Sequence, residues 1–314
     1  MEKLKQALFK ELIKQGPSEE NGKRIWNVAI RELLYINEEQ AKSFLKLRSH
    51  PRYAETIVNK ELDLMNSNKD FITEQISGGP FNLIDIASGD GTKAKFFLNL
   101  FDCADFKIRY CPVNVSEYLV NLSIENLKNS KFKCVKDFQP RVGSFNSLEE
   151  FSSDLKTGDY QRNVYLLMGS VLASFDINEY LFKLSDSMLK GDCLIIGNGI
   201  RKGERLVNID AYKHPSFSGW FIHLMRSLGF KDDEVEYDAR FNEMRVEGYY
   251  KIKVDKEIEM NGRSVKLKAG DEILVAVLYK FFEEELKKFC EMYFSEVNLF
   301  KDREDEYALV VCRK

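Results

Sequence analysis

The chain has 314 residues, 44% hydrophobic and 31% charged, with a formal net charge of −3 and a pI near 5.9. That balance excludes a disordered chain, and mild acidity with scattered basic residues argues against a general nucleic-acid binder. No apolar run reaches the roughly 18 residues of a membrane-spanning helix. The start, Met1-Glu2-Lys3-Leu4-Lys5, is charged and amphipathic and lacks a secretory apolar core. Six cysteines (Cys103, Cys111, Cys134, Cys193, Cys290, Cys312) lie far apart with no C-x-x-C pair. They read as small buried hydrophobes of a reducing cytosol, so a cytoplasmic location is expected. His50, His214 and His223 are too widely spaced to suggest a metal site.

From the N-terminus, Leu4, Leu8, Leu12 and Ile13 suit an amphipathic helix that Pro17-Ser18 breaks. Residues 1–76 carry no strong strand signal; Ile25 to Leu47 and Tyr53 to Phe71 are predicted as helices around Ser49-His50-Pro51. Phe81 to Ile86 is an apolar run of the kind that forms a buried parallel strand. It ends in the small-residue turn Ala87 to Gly91, and Ala94, Phe97, Leu98 and Phe101 then mark one face of a helix. A strand that stops in a glycine turn and opens a helix is a nucleotide-binding device. The glycines let backbone approach a ligand, and the helix N-terminus offers free N–H groups.

Strands and helices alternate beyond this turn: strand Phe106 to Val115, helix Tyr118 to Leu127 after a Ser116 cap, short strand Arg141 to Phe145, strand Asn163 to Met168. Helix Asn178 to Leu189 stops at Gly191, and Cys193 to Gly197 is the next strand. This rhythm predicts an α/β fold with a doubly wound parallel sheet and ligands at the strand C-termini. The rhythm then changes. Ile209 to Gly229 is helical, and Glu243 to Val277 holds several β segments with a tight turn at Asn261-Gly262. Helix Phe282 to Tyr293 and strands Glu296 to Leu299 and Tyr307 to Cys312 close the chain. The expected division is a sheet domain of residues 77–202 and 285–314, and a discontinuous α+β domain of residues 1–76 and 203–284.

The motif Leu83-Ile84-Asp85-Ile86-Ala87-Ser88-Gly89-Asp90-Gly91-Thr92-Lys93 resembles motif I of class I S-adenosylmethionine-dependent methyltransferases. Nearly end to end, the chain resembles the histidine Nα-methyltransferase family of ergothioneine synthesis, which also includes fungal amino-acid N-methyltransferases acting on prenylated tryptophan. His50-Pro51-Arg52-Tyr53 is similar to the family's Pro-Glu-Tyr-Tyr, and Tyr110-Cys111-Pro112-Val113-Asn114-Val115-Ser116 to its Tyr-x-Pro-x-Asp-apolar-Ser. Met188-Leu189-Lys190-Gly191-Asp192 is similar to Leu-x-Pro-Gly-Asp, and Ala211-Tyr212 sits where the family has Ala-Tyr-Asp. Phe241-Asn242-Glu243 and Arg245-Val246-Glu247 are similar to its Tyr-Asn-x-Glu and Arg-Ile-Glu region.

The resemblance implies a Rossmann-like methyltransferase sheet with a second, substrate-binding domain, and S-adenosylmethionine as cofactor. It places Ser88, Gly89, Asp90, Gly91, Lys93, Asn114, Ser144, Phe145 and Gly169 at the cofactor, with Lys93 on the cofactor carboxylate. It places Tyr53 and Tyr212 at the substrate's amine or carboxylate end, as catalytic candidates, and Ser174, Ala276 and Leu278 along the substrate. The departures are specific. The family's ribose-binding Asp is Asn114, and its Gly-Asp-Phe at adenine is Gly143-Ser144-Phe145. The Asn of its Gly-x-Thr-Ile-Gly-Asn is Ser174. The Glu and Ser that grip imidazole are Ala276 and Leu278. A buried imidazole facing those two would lack partners, at a cost of roughly 1–3 kcal/mol per group. The expectation is an N-methyltransferase for a small amino acid or amine more apolar than histidine, with neither nucleic acid nor membrane as partner. The alternative is a non-catalytic relative that kept the fold as a binding subunit.

Overall fold

The computed structural model describes residues 2–20, 22–101, 106–146, 148–203 and 209–314, without the side chains of residues 52, 56 and 101. Helix α1 (Glu2–Gln15) leads to strands β1 (Pro17–Glu20) and β2 (Lys23–Asn27) and helix α2 (Glu38–Arg48). Helix α3 (Pro51–Tyr53), a π-helical turn at Ala54–Val58 and α4 (Asn59–Ser67) run on without a break, and α5 (Lys69–Ile76) follows. Next come β3 (Phe81–Ile86), α6 (Thr92–Phe101), β4 (Ile108–Asn114), α7 (Glu117–Ser130), β5 (Val135–Phe138), β6 (Arg141–Val142), α8 (Glu149–Asp154), β7 (Arg162–Leu167), α9 (Ile177–Asp186) and β8 (Cys193–Gly199). Helix α10 (Pro215–Ser227) precedes β9 (Val235–Asn242), β10 (Arg245–Ile252), β11 (Lys256–Met260), β12 (Arg263–Leu267) and β13 (Glu272–Tyr279). Helix α11 (Glu283–Glu291) and strands β14 (Glu296–Lys301) and β15 (Tyr307–Arg313) end the chain.

The chain divides into two compact units, one of residues 50–205 and 281–314, the other of residues 1–49 and 206–280. Residues 50–76, which their helical signal grouped with the N-terminal helices, belong to the unit of the large sheet. Among its described residues that unit holds an eight-stranded sheet in the order β14-β15-β8-β7-β3-β4-β5, with β6 beside β4. The strands from β3 to β8 run parallel, and β15 and β14 close one edge antiparallel. Every residue of β3 is buried, as a parallel strand covered on both faces requires. Leu64 and Met65 of α4, Ile72 and Ile76 of α5 and Ala94, Phe97 and Leu98 of α6 pack with Leu83, Leu166 and Ile195 of the strands. Because β3 lies between β4 and β7, the chain reverses its direction of winding there, and the C-terminal ends of β3 and β7 flank the crevice where such sheets bind ligands.

Among its described residues the other unit holds a five-stranded sheet, β1-β2-β13-β10-β9, and the hairpin β11-β12. Asn261 and Gly262 both take positive φ (52° and 73°), the conformation a two-residue hairpin turn needs. Two expectations fail here. Pro17–Glu20 and Lys23–Asn27 are strands where no strong strand signal is read, because β2 is recruited as a parallel partner of β13 with Ile25 opposite Glu272. The helix expected from Ile25 starts only at Glu38, where Asn37 and Gln40 form a reciprocal cap. In the larger unit the strand expected over Arg141 to Phe145 is just Arg141–Val142, and Val135–Phe138 is an additional strand. Cys103 lies outside the described residues; the other five cysteines are buried free thiols.

Candidate active site

The turn after β3 is built by backbone conformation. Ala87, Gly89 and Gly91 all have positive φ (56°, 57° and 77°). A Cβ on Gly91 would lie 2.9 Å from Leu127 and 3.1 Å from the Ser123 Cα of α7, so the turn sits hard against that helix. Asp85, buried in β3, accepts a 2.7 Å hydrogen bond from the Tyr110 hydroxyl on β4. Burial, then the Asp85 carboxylate, hold that phenol's pKa well above its ordinary value. Asp90 accepts from the Thr92 N–H at 3.0 Å, which caps the start of α6, and its carbonyl receives the Asn126 amide at 2.9 Å. One oxygen of the carboxylate expected at the cofactor thus also holds the start of α6.

The other expected cofactor residues stand at the neighbouring strand ends. Asn114 is buried at the end of β4, and its Oδ1 accepts from the Ser116 N–H at 3.0 Å. Ser144 Oγ accepts from the Asn146 N–H at 3.0 Å. Phe145 is buried edge-on against Phe175, with ring centroids 6.0 Å apart. Gly169 follows β7 with φ of 79°. Ser88 is 8% exposed, and its hydroxyl has no hydrogen-bond partner within the protein. An orphaned buried hydroxyl in a turn of left-handed residues, at the mouth of a parallel sheet, is the arrangement a bound S-adenosylmethionine would complete, so the residues fit that group.

Lys93, expected to face a ligand carboxylate, meets a protein carboxylate: its ammonium forms an ion pair with Glu61 of α4. The two donors on Glu61 Oε1 are the Gly169 N–H and the Tyr307 hydroxyl. Glu61 is 0% exposed. A Cβ on Gly197 would overlap its carboxylate, so the absence of a side chain there makes room for it. The Tyr307 phenol is pushed well above its ordinary pKa by burial, then by Glu61; Tyr53 stands close enough to add to the push. Sequence reasoning missed Glu61. The available signal was its spacing: it shares the i, i+3, i+4 face with Leu64 and Met65, so a charge stands on an apolar stripe.

Of the expected substrate residues, Tyr53 is half-buried at the end of α3, beside the π-helical turn, and Ser174 is half-buried in a 3-10 turn at Leu172–Ser174. Tyr212, Ala276 and Leu278 belong to the other unit. Ala276 pairs with Gly248 and Leu278 with Val246, which puts them on one sheet face together with Ala239 and Phe241 of β9. A Cβ on Gly248 would lie 2.9 Å from the Tyr237 hydroxyl and 3.6 Å from Ala276. That hydroxyl donates to the Tyr212 carbonyl at 3.0 Å, which brings Tyr212 to the same face. Lys280 stands 5.5 Å from the Tyr212 ring centroid. The opposite face carries charge: Arg240 bridges the buried Glu247 and Glu272, Arg245 pairs with Glu247, and Lys23 with Glu272. Among the described residues no cluster of histidine, cysteine, aspartate or glutamate could hold a metal ion, and no helix is long and apolar enough to cross a membrane.

The N-methyltransferase imqF of Aspergillus flavus is 20% identical over 290 residues, covering 86% of this chain and 76% of its own. A solved S-adenosylmethionine-dependent methyltransferase from Clostridium acetobutylicum is 14% identical, covering 87% of this chain and 98% of its own, with a TM-score of 0.46. The PH0226 protein of Pyrococcus horikoshii is 11% identical, covering 88% and 99%, with a TM-score of 0.45. The model of one family, described as histidine-specific, S-adenosylmethionine-dependent methyltransferases, matches residues 27–314. The chain belongs to that family: it is a methyltransferase, and S-adenosylmethionine is its cofactor.

Proposed function

We propose that the enzyme methylates the amine nitrogen of a small amino acid or amine whose side chain is more apolar than imidazole. The observation that carries this reading is the β13 face, where Ala276 and Leu278 stand side by side opposite Gly248 and Val246. A methyl and an isobutyl group offer no hydrogen bond to an imidazole, whereas they reward an apolar group by about 25 cal/mol per Å² removed from water. Aromatic walls are close by: Tyr237 contacts Phe221 at 5.8 Å and Tyr250 at 5.3 Å between centroids.

The cofactor supplies a methyl group already activated by a sulfonium leaving group. The protein's part is to hold an uncharged amine roughly 3 Å from that carbon and in line with the breaking bond. Gly89 and Gly91 admit the cofactor's amino-acid end, Lys93 attracts its carboxylate, and Asn114 and Ser144 address the nucleoside. Tyr53 and Tyr212 orient the substrate's amine or carboxylate end, and an α-ammonium gives up its proton to water before transfer. The sheet unit accordingly binds the cofactor. Free buried thiols at Cys111, Cys134, Cys193, Cys290 and Cys312 support a cytoplasmic setting.

The test is the combined Ala276→Glu and Leu278→Ser variant, assayed with histidine and with the best apolar substrate. Its ratio of kcat/KM should move toward histidine by about tenfold or more, the size of one satisfied polar contact. A variant that folds and keeps the wild-type ratio removes these two residues from the substrate pocket.

A further inference from the structure

Glu61 has no role in the reading above, yet it is the most completely enclosed charge at the C-terminal edge of the sheet. It is wholly buried, and both oxygens are engaged: Oε1 by the Gly169 N–H and the Tyr307 hydroxyl, Oε2 by the Lys93 ammonium. A buried ion pair is weak grounds for stability, since apolar residues of the same volume serve at least as well. Its geometry has a different consequence. Two donors on one oxygen fix the rotation of the carboxylate, so the other oxygen faces Lys93. Lys93 in turn lies across Gly169, where a Cβ would come within 2.5 Å of its nitrogen. The four-carbon stem of a lysine is otherwise free to place its charge anywhere over a wide arc.

We infer that Glu61 is a positioning residue: it pins the Lys93 ammonium beside Gly169, at the crevice between β3 and β7, so that a fixed cation awaits the carboxylate of the cofactor's amino-acid tail. Ordering the lysine during folding spares that cost at binding. Gly197 leaves the space Glu61 occupies, Tyr307 and Gly169 hold it, and Lys93 presents the result to the ligand. The inference rests on the reading that the cofactor lies at the turn Ser88 to Lys93.

Two ligands separate the roles. S-adenosylhomocysteine carries the amino-acid tail; 5′-methylthioadenosine has the same nucleoside and thioether without it. Their affinities for the full chain are to be measured by calorimetry. Glu61→Gln keeps an oxygen acceptor for Gly169 and Tyr307 but removes the charge. It should weaken S-adenosylhomocysteine about tenfold or more and leave methylthioadenosine within about twofold. Tyr307→Phe, which releases one of the two donors, should weaken only S-adenosylhomocysteine, by about threefold, and serves where Glu61→Gln does not fold. Equal losses for both ligands would mean that Glu61 merely supports the pocket and would overturn the inference. So would a loss with Lys93→Met that Glu61→Gln does not share. If Lys93→Met leaves both ligands unchanged, the tail does not lie at Lys93, and the cofactor placement fails with it.

Discussion

Gly91→Ala probes the cofactor turn with a single methyl group. Gly91 has φ of +77°, and the added Cβ would meet Leu127 Cδ1 at 2.9 Å, Ser123 Cβ at 3.0 Å and Ser123 Cα at 3.1 Å. Leu127 can rotate, but the Ser123 Cα is backbone of α7, and Ser123 is 0% exposed. The left-handed backbone costs an alanine about 1–2 kcal/mol, and the overlap about 1–3 kcal/mol more. The control is Gly158→Ala, at φ of +56° with nothing within 4 Å of its Cβ, which carries the backbone cost alone. Urea unfolding should be followed by far-ultraviolet circular dichroism, because the two tryptophans, Trp26 and Trp220, both lie in the other unit. Gly91→Ala should lose about 2–5 kcal/mol and Gly158→Ala about 1–2 kcal/mol. Equal losses at the two positions would refute the close packing of the turn on α7.

Gly89→Val places a β-branched residue at φ of 57° and fills the approach to the tail, so S-adenosylmethionine affinity should fall by about tenfold or more in a folded variant; unchanged affinity moves the cofactor elsewhere. Asn114→Asp keeps the acceptor for Ser116 and adds a charge that accepts from ribose hydroxyls, so calorimetry should show affinity no weaker than wild type; a severe loss contradicts the ribose assignment. Asp302 accepts from the N–H groups of Glu306 and Tyr307 and pairs with Lys60 at 2.7 Å; burial pushes its pKa up, but Lys60 and those N–H groups outweigh burial and hold it below the ordinary value. A carboxylate with a depressed folded pKa stabilises above its unfolded value and loses that stabilisation as pH falls through the folded one. Asp302→Asn should therefore cost about 1–3 kcal/mol at pH 7 and progressively less below about pH 4; a penalty that does not shrink in acid would rule out the charge as its cause.

The β3 strand, its glycine turn and α6 were legible in the sequence because each rests on local rules: a doubly buried strand is continuously apolar, and left-handed turns select small residues. The strand β2 was not, because Lys23–Asn27 is held in place by β13, with Lys23 bonded to Glu272 at a separation of 249 residues. Glu61 escaped for a related reason. Nothing near it in sequence announces that Lys93, Gly169 and Tyr307 converge on it. That Ala276 and Leu278 share a face follows from strand alternation, but their pairing with Gly248 and Val246, and the Tyr237 hydroxyl beside Gly248, required the register of β9, β10 and β13.

Methyl transfer from labelled S-adenosylmethionine to a panel of amino acids and amines, with kcat/KM determined for histidine and for aliphatic and aromatic members, decides the substrate class. Transfer should go to the amine nitrogen of an apolar member, with histidine about tenfold or more poorer. Efficient methylation of histidine, or a preference for polar side chains across the panel, would contradict this reading.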